Sequence, residues 1–339
     1  MRKFLLFCMV YGFTLVVVNG PSGPADSYAG ACNNDKLVAD LDIKALEGED
    51  AVLETVRQAY RRLANAVEVP LLLLLDDNVV WSIEGVSGVV PFAGTYEGKE
   101  GVLRYEDDVR GAVCIESLAA RFFVKLGSAI DVHLVEEGLV IPTGKRFTMD
   151  IVHVWRLNED GKITSFREYN DTFAMAAAFD AHADPAMSLA ANSADYRVPT
   201  SPYVATMQTG LNFYAALGSA DIMYFVQNSE PGLVWILAGP PTITPIAGTF
   251  YEIKGIIDFF TRVFNTEAYL DFRVKSIVVD GSRMDAEFHE KVYVYATGKT
   301  FTCDGLHTAI FGDDGKLRSF RSYNDTYSVA SGHSPEGGQ

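Results

Sequence analysis

Residues 56–172 align with residues 210–326 at a constant shift of 154 and without a gap, and 35 of the 117 aligned positions are identical. Unrelated chains would agree at roughly one position in twenty, so the sequence contains an internal duplication. The unit is far longer than a solenoid repeat and is the size of a domain. Tyr60 meets Tyr214 and Trp81 meets Trp235. Pro91-Phe-Ala-Gly-Thr95 meets Pro245-Ile-Ala-Gly-Thr249, and Thr143-Gly-Lys145 meets Thr297-Gly-Lys299. Phe166-Arg-Glu-Tyr-Asn-Asp-Thr172 meets Phe320-Arg-Ser-Tyr-Asn-Asp-Thr326. Two tandem domains are therefore expected, at 45–180 and 203–330. Between them lies a linker, 181–202, rich in Ala, Asp, Ser and Pro, and a Gly/Ser/Pro/Glu-rich tail follows at 331–339.

Each unit gives the same coarse reading. Val52, Val56, Tyr60 and Leu63 recur at helical spacing over 50–66. Leu71–Leu75 is a buried apolar run, a short helix or a strand, and Val79–Ile83 reads as a strand. Gly98–Ala112 is a helix with Val102, Tyr105 and Val109 on one face. Four strand-like runs follow, 115–126, 129–140, 145–157 and 162–172, with Thr143-Gly144 and Asp160-Gly161 as turns. Helices followed by an antiparallel meander make an α+β unit, its helices packed on one face of a curved sheet.

Composition narrows the partners. Lys and Arg number 28 against 44 Asp and Glu, a net charge of −16. Such a chain lacks the clustered basic residues that nucleic acid or an anionic membrane surface requires. With 48% hydrophobic and 12% aromatic residues it builds a full core. The N-terminus has a basic Met1-Arg2-Lys3, an apolar run from Phe4 to Val18, then small residues and prolines. This is the pattern of a secretory signal peptide over 1–25, cleaved after Ala25, Ala29 or Ala31; the alternatives are an uncleaved anchor or the first part of an organelle address. The expected location is secreted or an organelle lumen, with no membrane association after cleavage. Cys8 would leave with the signal. Cys32, Cys114 and Cys303 form no framework and read as buried or free thiols. Asn170-Asp-Thr and Asn324-Asp-Thr are glycosylation sequons.

The combination of Trp81, Pro-Phe-Ala-Gly-Thr-Tyr-Glu-Gly, Thr-Gly-Lys-x-Phe-x-x-Asp150-x-x-His153 and Phe-Arg-Glu-Tyr-Asn-Asp resembles the SnoaL-like group of the nuclear-transport-factor-2-like (NTF2-like) superfamily. The likeness covers both units. It implies two tandem cone-shaped α+β barrels, each with a deep apolar pocket and a few acid/base residues at its floor. It also implies activities as varied as polyketide cyclisation, ketosteroid isomerisation and epoxide opening, or plain ligand binding. The cyclase-like acid falls at Asp150 and Asp304, and the polar residue fourteen positions earlier at Glu136 and Glu290. The last-strand carboxylate of the epoxide hydrolases falls at Glu168, where the second unit has Ser322. Their arginine is replaced by Leu134 and Phe288, and the ketosteroid-isomerase-like base by Ser82 and Ile236.

The residues themselves suggest a mechanism. If positions summing to 286 oppose each other across the Thr143-Gly144 hairpin, Glu136 faces Asp150, and by the same register Glu290 faces Asp304. Two carboxylates ~5 Å apart in an apolar cup share a proton and exchange it with a substrate. If the sum is 287, the pair is split across the sheet. Strand alternation sets His153 and His307 on the face opposite Asp150 and Asp304, at a domain–domain interface. Tyr60, Tyr214, Trp81 and Trp235 read as core residues that could also donate to a substrate oxygen. Arg167/Arg321, Tyr169/Tyr323 and Asp171/Asp325 alternate with Glu168/Ser322 and Asn170/Asn324, so one set faces away from the pocket, and Arg–Asp pairing at the strand ends is expected. No linear spacing suggests a metal site, and no cofactor is expected. The expected function is acid/base catalysis on an apolar small molecule, with Asp150, Glu136, Asp304, Glu290 and Glu168 as proton carriers. Tyr60, Trp81, His153, Asn170, Tyr214, Trp235, His307 and Asn324 would contact the substrate. The two units would form an internal pseudo-dimer. The alternative is a binding or scaffold protein without turnover.

Overall fold

The computed structural model describes residues 37–65, 71–180, 182–184, 188 and 201–335. The expected signal segment, 1–25, lies outside these residues, as does much of the linker. Among the described residues no helix is long and apolar enough to cross a membrane.

The first unit runs β1 (Val38–Asp42), α1 (Ala51–Asn65), β2 (Leu75–Ile83), β3 (Gly94–Glu97), α2 (Gly98–Ala112), β4 (Val113–Leu126), β5 (Ala129–Val140), β6 (Arg146–Leu157), β7 (Ile163–Tyr169) and α3 (Thr172–Phe179). The second runs α4 (Met207–Gly218), α5 (Ile222–Gln227), β8 (Ser229–Leu237), β9 (Gly248–Tyr251), α6 (Glu252–Thr266), β10 (Glu267–Asp280), β11 (Arg283–Val294), β12 (Thr300–Phe311), β13 (Leu317–Asn324) and α7 (Thr326–His333). The sheets are separate, ordered β1-β4-β5-β6-β7-β2-β3 and β10-β11-β12-β13-β8-β9. This is an α+β fold of two tandem cones. The strand β1, parallel to β4, precedes residue 45 and the repeated segment. Of the run Leu71–Leu75, Leu71 and Leu75 are buried while Leu73 is exposed, and Leu75 already belongs to β2.

Local chemistry explains the elements. Asp50 accepts from the backbone N–H groups of Val52 and Leu53 at 2.9 and 3.2 Å and so caps α1. Leu53, Val56, Tyr60 and Leu63 then bury one stripe of that helix. The Thr-Gly-Lys turns have a structural task. Val140 N–H donates to Lys145 O at 2.8 Å and closes a four-residue loop, with Gly144 left-handed at φ 71°. Thr143 Oγ1 then donates to Ala178 O at 2.7 Å, and Lys145 Nζ to Ala177 O at 3.2 Å, covering the open carbonyls of α3. Thr297 and Lys299 do the same for α7, donating to Gly332 O at 2.6 Å and Ser334 O at 2.7 Å.

The concave face of each sheet packs on its helices, and the opposite faces meet each other. Val132, Leu134, Met149, Ile151, Trp155 and Phe166 belong to the core of the first cone. Val152, Val154 and Tyr169, on the other face, cluster with Leu306 and Tyr323 of the second. The repeated Asp-Thr pair exchanges bonds across this contact. Thr172 Oγ1 donates to Asp325 Oδ1, and Thr326 Oγ1 to Asp171 Oδ1, both at 2.6 Å. Asp171 and Asp325 also cap α3 and α7, so they do not pair with the strand-end arginines as expected.

Candidate functional site

The register decides which acids share a cup. Across β5 and β6, Glu136 opposes Met149 and Val135 opposes Asp150. Across β11 and β12, Glu290 opposes Cys303 and His289 opposes Asp304. In the first unit the positions sum to 285 instead of the expected 286, because of the four-residue loop, and the second unit keeps the same register. One step in register exchanges the faces. The expected dyads, Glu136 with Asp150 and Glu290 with Asp304, therefore do not form.

Asp150 and Asp304 instead sit between the cones. Asp150 Oδ2 accepts from Arg321 Nη1 at 2.5 Å, and its Oδ1 lies 3.6 Å from Arg121. Asp304 accepts from Arg167 at 3.1 Å and meets His289 at 2.7 Å and Lys275 at 2.5 Å. Burial raises the Asp304 carboxyl, but hydrogen bonds from Lys275 and His289 and the charges of Lys275 and Arg167 outweigh it and hold the group below its usual range. The arginines of the Phe-Arg-x-Tyr-Asn-Asp motif thus reach the other unit's aspartate.

The histidines keep the face opposite Asp150 and Asp304, as strand alternation sets them, but that face lines the cups and is not the contact between the units. His153 directly opposes Glu168 across β6 and β7. Its Nδ1 is bonded to Tyr60 Oη at 2.9 Å, and Trp155 Nε1–H donates to Tyr60 Oη at 3.1 Å. His153 Nε2 lies 3.3 Å from Glu168 Oε2, yet it is buried and out of line for a hydrogen bond. Asn170 Nδ2 donates to Glu168 Oε1 at 2.9 Å. Glu136, His153 and Glu168 have ligating atoms within 4.8 Å of one another, a cluster that linear spacing does not reveal. Burial, and then the Glu168 charge, push the Glu136 carboxyl well above the usual carboxylate range. Trp81 is buried against Phe166 with ring centroids 4.0 Å apart, a core position.

The second cup has the same frame with different contents. Tyr214 Oη is bonded to His307 Nδ1 at 3.2 Å. Cys303 Sγ donates to Glu290 Oε1 at 3.2 Å, and Asn324 Nδ2 donates to the same oxygen at 3.3 Å. Ser322 Oγ turns onto Asn324 Oδ1. Burial raises the Glu290 carboxyl to about 8 and lowers His307 to about 3, so both groups are neutral near pH 7. They line a cavity of about 360 Å³ whose walls include Trp235, Phe259, Phe260 and Phe320. That volume suits a small organic ligand.

Other expectations need correction. Cys114 is disulfide-bonded, and Cys303 is free and buried. Asn170 and Asn324 are buried and hydrogen-bonded, so in the folded protein neither sequon is open to glycosylation. The histidine placement was readable in part. On β6 the odd-numbered positions Phe147, Met149, Ile151, Trp155 and Leu157 are apolar, while Arg146, Thr148, Asp150 and Arg156 alternate with them, which sets His153 on the core side.

No family model and no curated protein matches the chain. Solved structures do, each over a share of the chain close to the length of one unit. An NTF2-like protein of unknown function from Burkholderia pseudomallei is 24% identical, over 39% of this chain and 98% of its own, with a TM-score of 0.36. TerC co-crystallised with polyporic acid is 24% identical, over 38% and 98%, with a TM-score of 0.34. Rv0760c from Mycobacterium tuberculosis, in complex with estradiol-17beta-hemisuccinate, is 22% identical, over 36% and 94%, with a TM-score of 0.32. The sheet order and the helices packed within each sheet give this chain its fold, two tandem α+β cones.

Proposed function

We propose that the second cone binds an apolar small molecule bearing a carbonyl-type oxygen and performs acid/base chemistry on it. The observation that carries this reading is the aromatic-walled cavity with Glu290 in its lining. A carboxyl kept protonated near pH 7 donates to a substrate oxygen, while burial leaves His307 a weak base and a neutral hydrogen-bond partner beside it. Cys303 and Asn324 both donate to Glu290 Oε1, which leaves the other oxygen for the substrate. Isomerisation next to a carbonyl and ring closure both draw on such proton donation to the oxygen.

The cones are read as an internal pseudo-dimer, supported by the reciprocal Thr172–Asp325 and Thr326–Asp171 bonds. We read the protein as exported, on the form of residues 1–25 and on the disulfide at Cys114, which suits an oxidising compartment.

The test is a panel of steroid enones and aromatic polyketide-type ketones. Binding is followed by calorimetry and turnover by chromatography, with the wild type and Glu290→Gln compared. Turnover lost on Glu290→Gln supports catalysis. Binding without turnover in the wild type supports the alternative, a binding protein. No binding of any panel member would overturn both.

A further inference from the structure

The buried cluster of the first cone has no counterpart in the second. Glu136 stands on β5, His153 on β6 and Glu168 on β7, three neighbouring strands. Glu136 pairs with Met149, four residues from His153, a separation of roughly 13 Å along a flat strand. The side chains nevertheless converge to within 4.8 Å, because the sheet curls inward. All three residues are at least nine-tenths buried, with exposures of 7%, 5% and 7%. His153 Nε2 has no hydrogen-bond partner, although it faces the Glu168 carboxylate. A buried polar nitrogen without a partner is costly and calls for an explanation.

We propose that Glu136, His153 and Glu168 form a binding site for one divalent transition-metal ion of the zinc class. Two acidic groups brought together out of water cannot both ionise, and a dication between them displaces the Glu136 proton and compensates both charges. One imidazole nitrogen and two carboxylate oxygens form a three-ligand set that leaves a position open. Metal–ligand bonds of about 2.0–2.2 Å place tetrahedral ligands about 3.4 Å apart. Carboxylate rotation closes the present cluster to that spacing. The set is too small and too nitrogenous for calcium, which takes six to eight oxygens. On loading, the ring proton sits on Nδ1, where Tyr60 Oη lies at 2.9 Å to accept it. Asn170 holds the outer oxygen of Glu168. The second cone supplies an internal control, since Ser322 takes the place of Glu168 and the frame is otherwise kept.

The experiment uses the full chain, stripped with chelator and passed through a desalting column. Zn²⁺ binding is read by calorimetry and elemental analysis, and Co²⁺ loading by its visible absorption. The expected result is one Zn²⁺ per chain and a Co²⁺ spectrum with nitrogen and oxygen ligands. Glu168→Ser, the second cone's own solution, should lower the affinity at least tenfold, and so should the isosteric Glu168→Gln. Tyr60→Phe should weaken it about tenfold through the lost acceptor. Glu290→Gln should leave it unchanged. Thermal melts of the stripped variants check folding, and Glu168→Gln covers the case in which the serine variant does not fold. The proposal is overturned if the wild type retains no ion. It is equally overturned if the ion retained is indifferent to both Glu168 variants, which would assign it to the acidic surface.

Discussion

Two cups with one frame hold different chemistry. In the first, Glu136, His153 and Glu168 crowd together, with Tyr60 bonded to both His153 and Trp155. In the second, Glu290 and His307 look into an aromatic cavity, and a serine has replaced the third ionisable group. The packing differs by an exchange of bulk. Trp155 packs on Phe166 at 4.5 Å, and its equivalent is Ala309. Phe213 packs on the corresponding Phe320 at 5.7 Å, and its equivalent is Ala59. The residues common to both units serve mainly the frame: turns, helix caps and the bonds between the cones. Function is read from the positions where the units differ.

The largest effect expected concerns that difference. Glu290→Gln should lower turnover 10²- to 10⁴-fold, the usual worth of a general acid, with ligand affinity largely kept. Glu136→Gln in the first cone should leave this turnover unchanged, and an equal loss from both would break the division of labour. Removing Arg321 comes next. It leaves buried Asp150 without its 2.5 Å partner, so Arg321→Ala should cost about 3–5 kcal/mol in chemical denaturation. Arg167→Ala, at the more exposed Asp304, should cost about 1 kcal/mol. Equal losses would mean that the two halves of the interface are not unequal in burial.

Packing offers a sharper comparison. Ala309→Trp should overpack the second core and cost about 1–3 kcal/mol, and adding Phe213→Ala should restore much of it. An additive double variant would refute the exchange of bulk. The pH response of stability should also report the buried carboxyl of the second cup. The Glu290 carboxyl keeps its proton in the fold up to about pH 8, while an unfolded glutamate gives it up near 4.5. The unfolded state is then the one with fewer protons, so stability falls as pH rises from about 4.5 to 8. Melting curves of Glu290→Gln should show a shallower fall over that range. The smallest effect is a backbone one. Glu252 adopts φ 61°, where the first unit has Gly98 at φ 67°. Glu252→Gly should stabilise by about 1 kcal/mol, because the left-handed conformation strains a residue with a Cβ. A loss of stability would show that the Glu252 side chain offsets the strain.

The duplication, the two α+β units and most strand boundaries could be read from the chain, because periodicity and turn residues act over a few positions, while the cone was implied by the resemblance. The two carboxylates Glu136 and Glu290 could be singled out, and the structure sets both in cups. The partnership with Asp150 and Asp304 could not be fixed. It turned on whether the loop after Val140 holds four residues, and one residue reverses every face of β6. The alternation on that strand pointed the right way for His153.

What the amino-acid order determined alone is the repeat, and with it a fold made twice, since hydrophobic patterning and turn chemistry are local. Which acids meet, which become ion pairs between the cones, and which cup stays open were decided only in three dimensions. Those outcomes depend on register, on sheet curvature and on bulk traded between residues nearly a hundred positions apart, such as Ala59 and Trp155, and no local pattern encodes them.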